Sequence, residues 1–209
     1  MFEHIEFAIF SFGTLFAIVN PATTVPTFLA ITEANTTEER LRMAGLACSV
    51  ALGVFLLFSV VGLRLLGAFQ ISIPAFQIAG GLIILRIAMD NLQARRSGIR
   101  LNAIEQEAAI EKDDIAITPL AVPVLAGPAG ITTVILLSQQ ATDMSQRFVL
   151  AGVIMLIFLL VFVALRLAAV YSAVLGEITM RLIVRIMGLL LAAIAVQFIL
   201  SGIQAANLI

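Results

Sequence analysis

The sequence predicts an all-α integral membrane protein: six transmembrane helices forming two inverted three-helix repeats, with helices 1 and 4 broken at mid-membrane. Three observations carry this expectation. The 209 residues are 61% hydrophobic and 12% charged, with a mean hydropathy of +1.12, where a soluble chain is about half apolar and a quarter charged. The apolar residues fall in six long runs without in/out alternation, which favours helices over a barrel. Two proline motifs interrupt the first and fourth runs at matching places. About 127 apolar residues suffice for about six spans of 20 and leave little chain outside the bilayer. This composition excludes a separate nucleotide-hydrolysing domain, a DNA-binding module and a disulfide scaffold. The net charge of −1 gives no reason to expect nucleic acid as a partner, and the single cysteine cannot form an internal disulfide.

The spans are expected near 5–32, 41–67, 74–93, 116–140, 147–172 and 182–205, bounded by charges and turn formers. The first is kept as a span because its start carries Glu3, His4 and Glu6 and no basic residue, unlike a cleaved signal peptide. With the N-terminus outside, the inner side collects Arg40, Arg42, Arg86, Arg95, Arg96, Arg100, Lys112, Arg166, Arg181 and Arg185. Only Arg64 and Arg147 remain outside, so both termini are expected to face away from the cytoplasm. The hydrophilic segment 94–115 then lies inside as a solvated linker, and the chain divides into repeat one (1–95), a cytoplasmic linker (96–115) and repeat two (116–209).

The halves echo one another. Asn20-Pro21-Ala22-Thr23-Thr24 matches Gly127-Pro128-Ala129-Gly130-Ile131-Thr132-Thr133, Leu63-Arg64-Leu65 matches Leu165-Arg166-Leu167, and the glycines Gly80 and Gly81 match Gly188. Because each half has an odd number of spans, the second enters the membrane the other way round, an architecture recurrent in secondary transporters. Pro21 and Pro128 lie about 15 and 12 residues into their spans, near mid-membrane. Proline removes an amide donor and frees the carbonyl four residues earlier. Non-helical backbone at that depth is tolerated only where protein buries it or a wet cavity meets it. The half-helices starting at each proline offer unpaired amides and a positive dipole end to an anion such as a carboxylate. The Asn20 amide and the hydroxyls of Thr23, Thr24, Thr132 and Thr133 are suited to an ammonium group or an ion, while Gly127, Ala129 and Gly130 keep the cavity small.

Plainer readings stand beside these. The prolines also fit kinks repaired by neighbouring hydroxyls, and the threonines also fit bonds to their own helix backbone. Gly80, Gly81 and Gly188 suit close helix packing better than ligand contact. Arg86 and Asp90 are spaced for an intrahelical pair, with ion coupling through Asp90 as the alternative. Gln77 and Gln197 suit either a polar path or bonding between helices. His4 and Cys48 receive no role.

The run NPATTVPTFLAIT (Asn20 to Thr32), followed by Glu38-Glu39-Arg40, resembles the MarC family of six-span inner-membrane proteins. So do FQISIPAFQIAGGLIIL (Phe69 to Leu85) and ITPLAVPVLAGPAGITT (Ile117 to Thr133), and the resemblance covers nearly the whole chain. It implies a cytoplasmic-membrane protein similar to members described as small neutral amino acid transporters of the SnatA type, driven by proton or sodium gradients. Family members more often carry Gly where Ala22 and Ala129 stand, so each methyl here narrows any cavity it faces.

The expected function is therefore secondary transport of small neutral amino acids such as alanine, glycine or serine by alternating access around the two breaks. No cofactor is expected beyond a coupling ion. Sodium would sit near the Asn20 and Gly127 backbone; a proton would need Asp90 or the substrate itself, since no acidic residue falls near mid-membrane. The lipid bilayer and a small neutral amino acid are the expected partners, with an oligomer left open. The alternatives are an efflux protein for drugs or other metabolites, or a non-transporting membrane regulator. An enzyme is not expected, because no His, Cys or acidic cluster falls at membrane depth, and a primary pump is excluded by the lack of a phosphate-binding loop.

Overall fold

The computed structural model describes residues 2–33, 35–93, 125–170 and 177–206. The linker expected at 94–115, the first part of span four at 116–124 and the end of span five at 171–172 lie outside the described residues. Seven helices are described: α1 (Phe2–Val19), α2 (Pro21–Ile31), α3 (Thr37–Ala68), α4 (Ile73–Leu92), α5 (Pro128–Gln140), α6 (Met144–Val170) and α7 (Glu177–Ala205). Five segments among the described residues are long and apolar enough to cross a bilayer: Glu3–Leu29, Thr37–Ala68, Ile73–Leu92, Met144–Val170 and Leu182–Ala205. The chain is an all-α, multi-pass integral membrane protein.

Helix ends follow local chemistry. α3 begins four residues before its expected span because Thr36 and Glu39 form a reciprocal capping box, which extends the helix through a polar turn that hydropathy alone excludes. Ser72 caps α4 by accepting from the Ala75 amide, with proline just inside the helix. Between α3 and α4 the chain reverses at Gln70, whose φ of 56° is in the left-handed region. Arg40 donates from Nε to the Thr32 carbonyl at 2.9 Å and from a terminal nitrogen to the Glu33 carbonyl at 3.1 Å. A cation thereby neutralises the negative end of α2 and ties it to the first turn of α3.

The main packing partners come from opposite halves of the chain. α4 packs most extensively on α7 and α3 on α6, while α5 lies against α3, α4 and α1, and α2 against α6 and α7. Close approaches give the directions. Gly81 faces Ala195 and Ile199, Gly188 faces Ala88, Asn91 and Leu92, and Gly202 faces Pro74 and Ile78, so α4 and α7 are antiparallel. Gly130 faces Phe55 and Gly62 faces Ile135, so α3 and α5 run the same way. These are the relative directions that six alternating passes require.

The α4–α7 contact is also reciprocal. A Cβ on Gly81 would lie 2.9 Å from the Ala195 carbonyl, and one on Gly188 would lie 3.2 Å from the Ala88 carbonyl. Gly81 and Gly188 are 107 positions apart, as are Ala88 and Ala195, and as are Pro21 and Pro128. The same contact is therefore made twice across a pseudo-two-fold axis, as in an isologous interface. Lipid tails are as apolar as leucine, so helix association rests on such close approach and not on hydrophobic burial. Large apolar side chains such as Ile9, Val60, Phe148 and Leu189 remain on the outside, where acyl chains solvate them.

Candidate functional site

The first break is a single residue. α1 ends at Val19 and α2 begins at Pro21, and Asn20 between them has φ 47° and ψ 76°. Asparagine is among the few side chains that enter this left-handed region readily. The Asn20 amide still donates to the Phe16 carbonyl, but Pro21 has no N–H for the carbonyl of Ala17 and Pro26 has none for that of Ala22. The Asn20 carbonyl accepts from the amides of Thr23 and Thr24, both at 3.1 Å. Among the described residues this leaves the Ala22 amide as the unpaired backbone donor of the turn, so the α2 terminus offers an anion less than a full set of free amides.

The hydroxyls have a definite polarity. Thr23 Oγ1 donates to the Asn20 carbonyl at 3.0 Å, and Thr24 Oγ1 donates to those of Val19 and Asn20 at 3.0 and 3.1 Å. With their hydrogens committed to backbone, both oxygens present only lone pairs to any ligand. They suit an ammonium group or a cation and not a carboxylate.

The Asn20 side chain is 2% exposed, makes no capping bond, and has neither Nδ2 nor Oδ1 hydrogen-bonded. Each unmet polar group buried in this way costs about 1–3 kcal/mol. A ligand with both a donor and an acceptor would relieve both.

The second proline motif, described from Leu125 onward, has a different form. Gly127 is extended, with φ −70° and ψ 166°, a conformation open to any residue, and its carbonyl accepts from the Ile131 amide. Thr132 Oγ1 donates to the Pro128 carbonyl and Thr133 Oγ1 to that of Ala129, both at 2.8 Å. Ala129, Gly130, Thr132 and Thr133 are buried, whereas Pro128 is exposed and Gly127 partly so. The Thr132 methyl packs on Gly80, and Gly130 lies against the Phe55 ring, so α5 is wedged between α3 and α4. At the first break Pro21, Ala22 and Thr23 are half-buried, and Thr24 is buried. The breaks flank the same seam: Ala17 and Ala129 share a buried cluster with Ala88 and Ala195, while Val19, Val25, Leu125 and Ala126 belong to the larger cluster.

No ion pair joins Arg86 and Asp90: Arg86 is exposed and Asp90 half-buried. Their order, cation before anion, is the weaker one for a four-residue helical pair. Gln197 donates to Ser201 Oγ at 3.1 Å within α7 on an exposed face, so it bonds along its own helix and not across to another. Cys48 is buried in the larger cluster. Sequence reasoning overlooked Ser11, Thr14 and Asn91, all buried, with Ser11 Oγ and Asn91 Nδ2 also unpaired. Their signal was available, since Ser11 and Thr14 are polar residues three apart inside an apolar run.

Residues 5–207 match the family described as MarC family integral membrane protein. A UPF0056 membrane protein of Methanocaldococcus jannaschii is 36% identical over 204 residues, covering 98% of this chain and 99% of that one. The UPF0056 membrane protein YvbG of Bacillus subtilis is 36% identical over 200 residues, 95% of each chain. YhcE of Escherichia coli, also a UPF0056 membrane protein, is 32% identical over 191 residues, 91% of this chain and 88% of that one. No solved structure matches.

Proposed function

The chain belongs to the MarC family of integral membrane proteins, and from that premise we propose that it is a secondary active transporter of small neutral amino acids of the alanine, glycine and serine type. The observation that carries the proposal is the buried, unpartnered Asn20 carboxamide at a helix break. A broken span is the recurrent binding device of secondary transporters, and a polar group left unmet at that depth marks a functional site. Small side chains fit best, because Ala22 and Ala129 line the breaks and Gly80, Gly81 and Gly130 draw the surrounding helices close. The carboxylate is held at the half-helix N-termini, and the Thr23 and Thr24 oxygens face the ammonium end.

Alternating access follows from the pseudo-symmetry. Here α2 packs on α6 and α7 less extensively than α5 packs on α3 and α4; a state in which the two exchange these degrees of packing opens the site to the opposite side. The coupling ion is sodium or a proton; the carbonyls of Ala17 and Ala22, which have no proline N–H to meet them, favour sodium. The protein works without chemical conversion of its substrate, in the cytoplasmic membrane, with both termini outside the cytoplasm.

The test is uptake of labelled alanine and glycine by purified protein in liposomes under an imposed sodium or proton gradient. Accumulation that collapses with the gradient is expected. Absence of movement under both gradients refutes the reading.

A further inference from the structure

The Asn20 carboxamide has one unused oxygen acceptor and one unused NH2 donor, side by side on a rigid plane and almost completely buried. Such an edge is matched by a partner with an adjacent acceptor and donor, which is how asparagine reads adenine bidentately. We infer that Asn20 is the specificity-determining residue that recognises the α-amino acid zwitterion side-on: Nδ2 donates to the carboxylate while Oδ1 accepts from the ammonium group. This inference rests on the amino-acid reading above and adds to it a stated role for one side chain.

The surroundings agree with that orientation. Thr23 Oγ1 and Thr24 Oγ1 have given their hydrogens to the Val19 and Asn20 carbonyls, so only lone pairs remain and both reinforce the ammonium side. The unpaired Ala22 amide, one residue past Pro21, is a further donor for the carboxylate side. Asn20 cannot be serving as a helix cap instead, because its side chain makes no capping bond. At the corresponding position of the second half stands Gly127, which has no side chain to offer. Side-chain recognition at this position is therefore offered by the first half alone.

Selectivity follows from the spacing. In an α-amino acid the carboxylate and ammonium groups share one carbon and can meet the two amide atoms together. In β-alanine an extra methylene separates them, and propionate or ethylamine each satisfies one atom and leaves the other unmet.

The backbone makes a clean test possible. Position 20 has φ 47°, so glycine fits it without strain, and aspartate tolerates it as well. Asn20→Gly deletes both polar atoms; Asn20→Asp keeps an acceptor, removes the donor and adds a negative charge. Thermal unfolding of the detergent-solubilised protein is followed through a thiol-reactive dye at Cys48, which is buried in the fold. Ligand that binds the folded form raises the melting temperature. For the unmodified protein a rise is expected with alanine and little or none with β-alanine, propionate or ethylamine. Asn20→Gly should weaken apparent alanine affinity about 100-fold while leaving the ligand-free melting temperature unchanged or higher. Asn20→Asp should lose the alanine response and gain one to ethylamine.

Full alanine response in Asn20→Gly would overturn the inference and reduce Asn20 to a turn former. So would propionate or ethylamine matching alanine on the unmodified protein. If no amino acid shifts the unmodified protein at all, the amino-acid reading itself fails and takes this inference with it. Should Asn20→Gly not be recoverable, Asn20→Asp decides alone: an intact alanine response there contradicts a donor role for Nδ2.

Discussion

The two proline motifs, with Pro21 and Pro128 separated by the same 107 residues as Gly81 and Gly188, are built differently. At the first, one left-handed residue separates two helices, its side chain is unpaired, and the following helix is half-buried along much of its first turn. At the second, an extended glycine precedes a helix that is buried at nearly every position from Ala129 to Ser138 and pressed between Phe55, Gly62 and Gly80. The same proline signal stands in both halves, with different side chains around it. The first break has the groups that can recognise a ligand, and the second has the contacts that hold a half-helix in place. The difference teaches that in an inverted repeat the proline marks where backbone is freed, while neighbouring side chains decide whether it is used.

Five substitutions sharpen or break this contrast. The largest effect is expected from Asn20→Gly, which should lower alanine uptake by liposomes about 100-fold, the loss of two charge-assisted hydrogen bonds. The reciprocal change, Gly127→Asn, should not restore it, because residue 127 sits in extended and not left-handed backbone. Next comes Gly81→Ala. Its methyl would meet the Ala195 carbonyl at 2.9 Å and part of Ile199, so α4 must shift from α7 at about 1–3 kcal/mol. A lower melting temperature with intact ligand response among the surviving protein is the expected outcome. Thr24→Val keeps shape but removes an oxygen facing the ammonium end and releases the Val19 carbonyl; uptake should fall about fivefold to tenfold, roughly one hydrogen bond. Smallest is Thr133→Val. Its hydroxyl serves only the Ala129 carbonyl inside a buried helix, so uptake should change less than about twofold. Equal losses in Thr24→Val and Thr133→Val would erase the distinction between the breaks.

Much of the fold was legible because lipid leaves so few options. Long apolar runs, with Arg40 and Arg147 at their edges, placed the five described spans to within a few residues, and Pro21 and Pro128 located the starts of α2 and α5. The glycines at 80, 81 and 188 read correctly as packing residues, since a missing side chain at a close approach leaves the same mark in sequence as in space. The extra turn of α3 was missed because a capping box is a local hydrogen-bond device that hydropathy does not register. At the site, the residue types were legible but their commitments were not. Nothing in the string Thr-Thr says whether a hydroxyl donates to its own backbone, and here Thr23, Thr24, Thr132 and Thr133 all do. Nor does the string show that Asn20 adopts φ 47° and leaves its carboxamide unmet, because both depend on tertiary packing around the residue. Arg86 and Asp90 show the converse: four-residue spacing permits a pair, and none forms between them.

Solid-state NMR on the protein in bilayers offers the most direct check of where a substrate is read, by measuring dipolar coupling between the carboxylate carbon of labelled alanine and the side-chain nitrogen of labelled Asn20. A hydrogen bond from Nδ2 brings the carboxylate oxygen to about 3 Å, so a strong coupling is expected, and it should disappear with excess unlabelled alanine. Bound alanine with no coupling to Asn20 would place recognition elsewhere and contradict the role given to the first break.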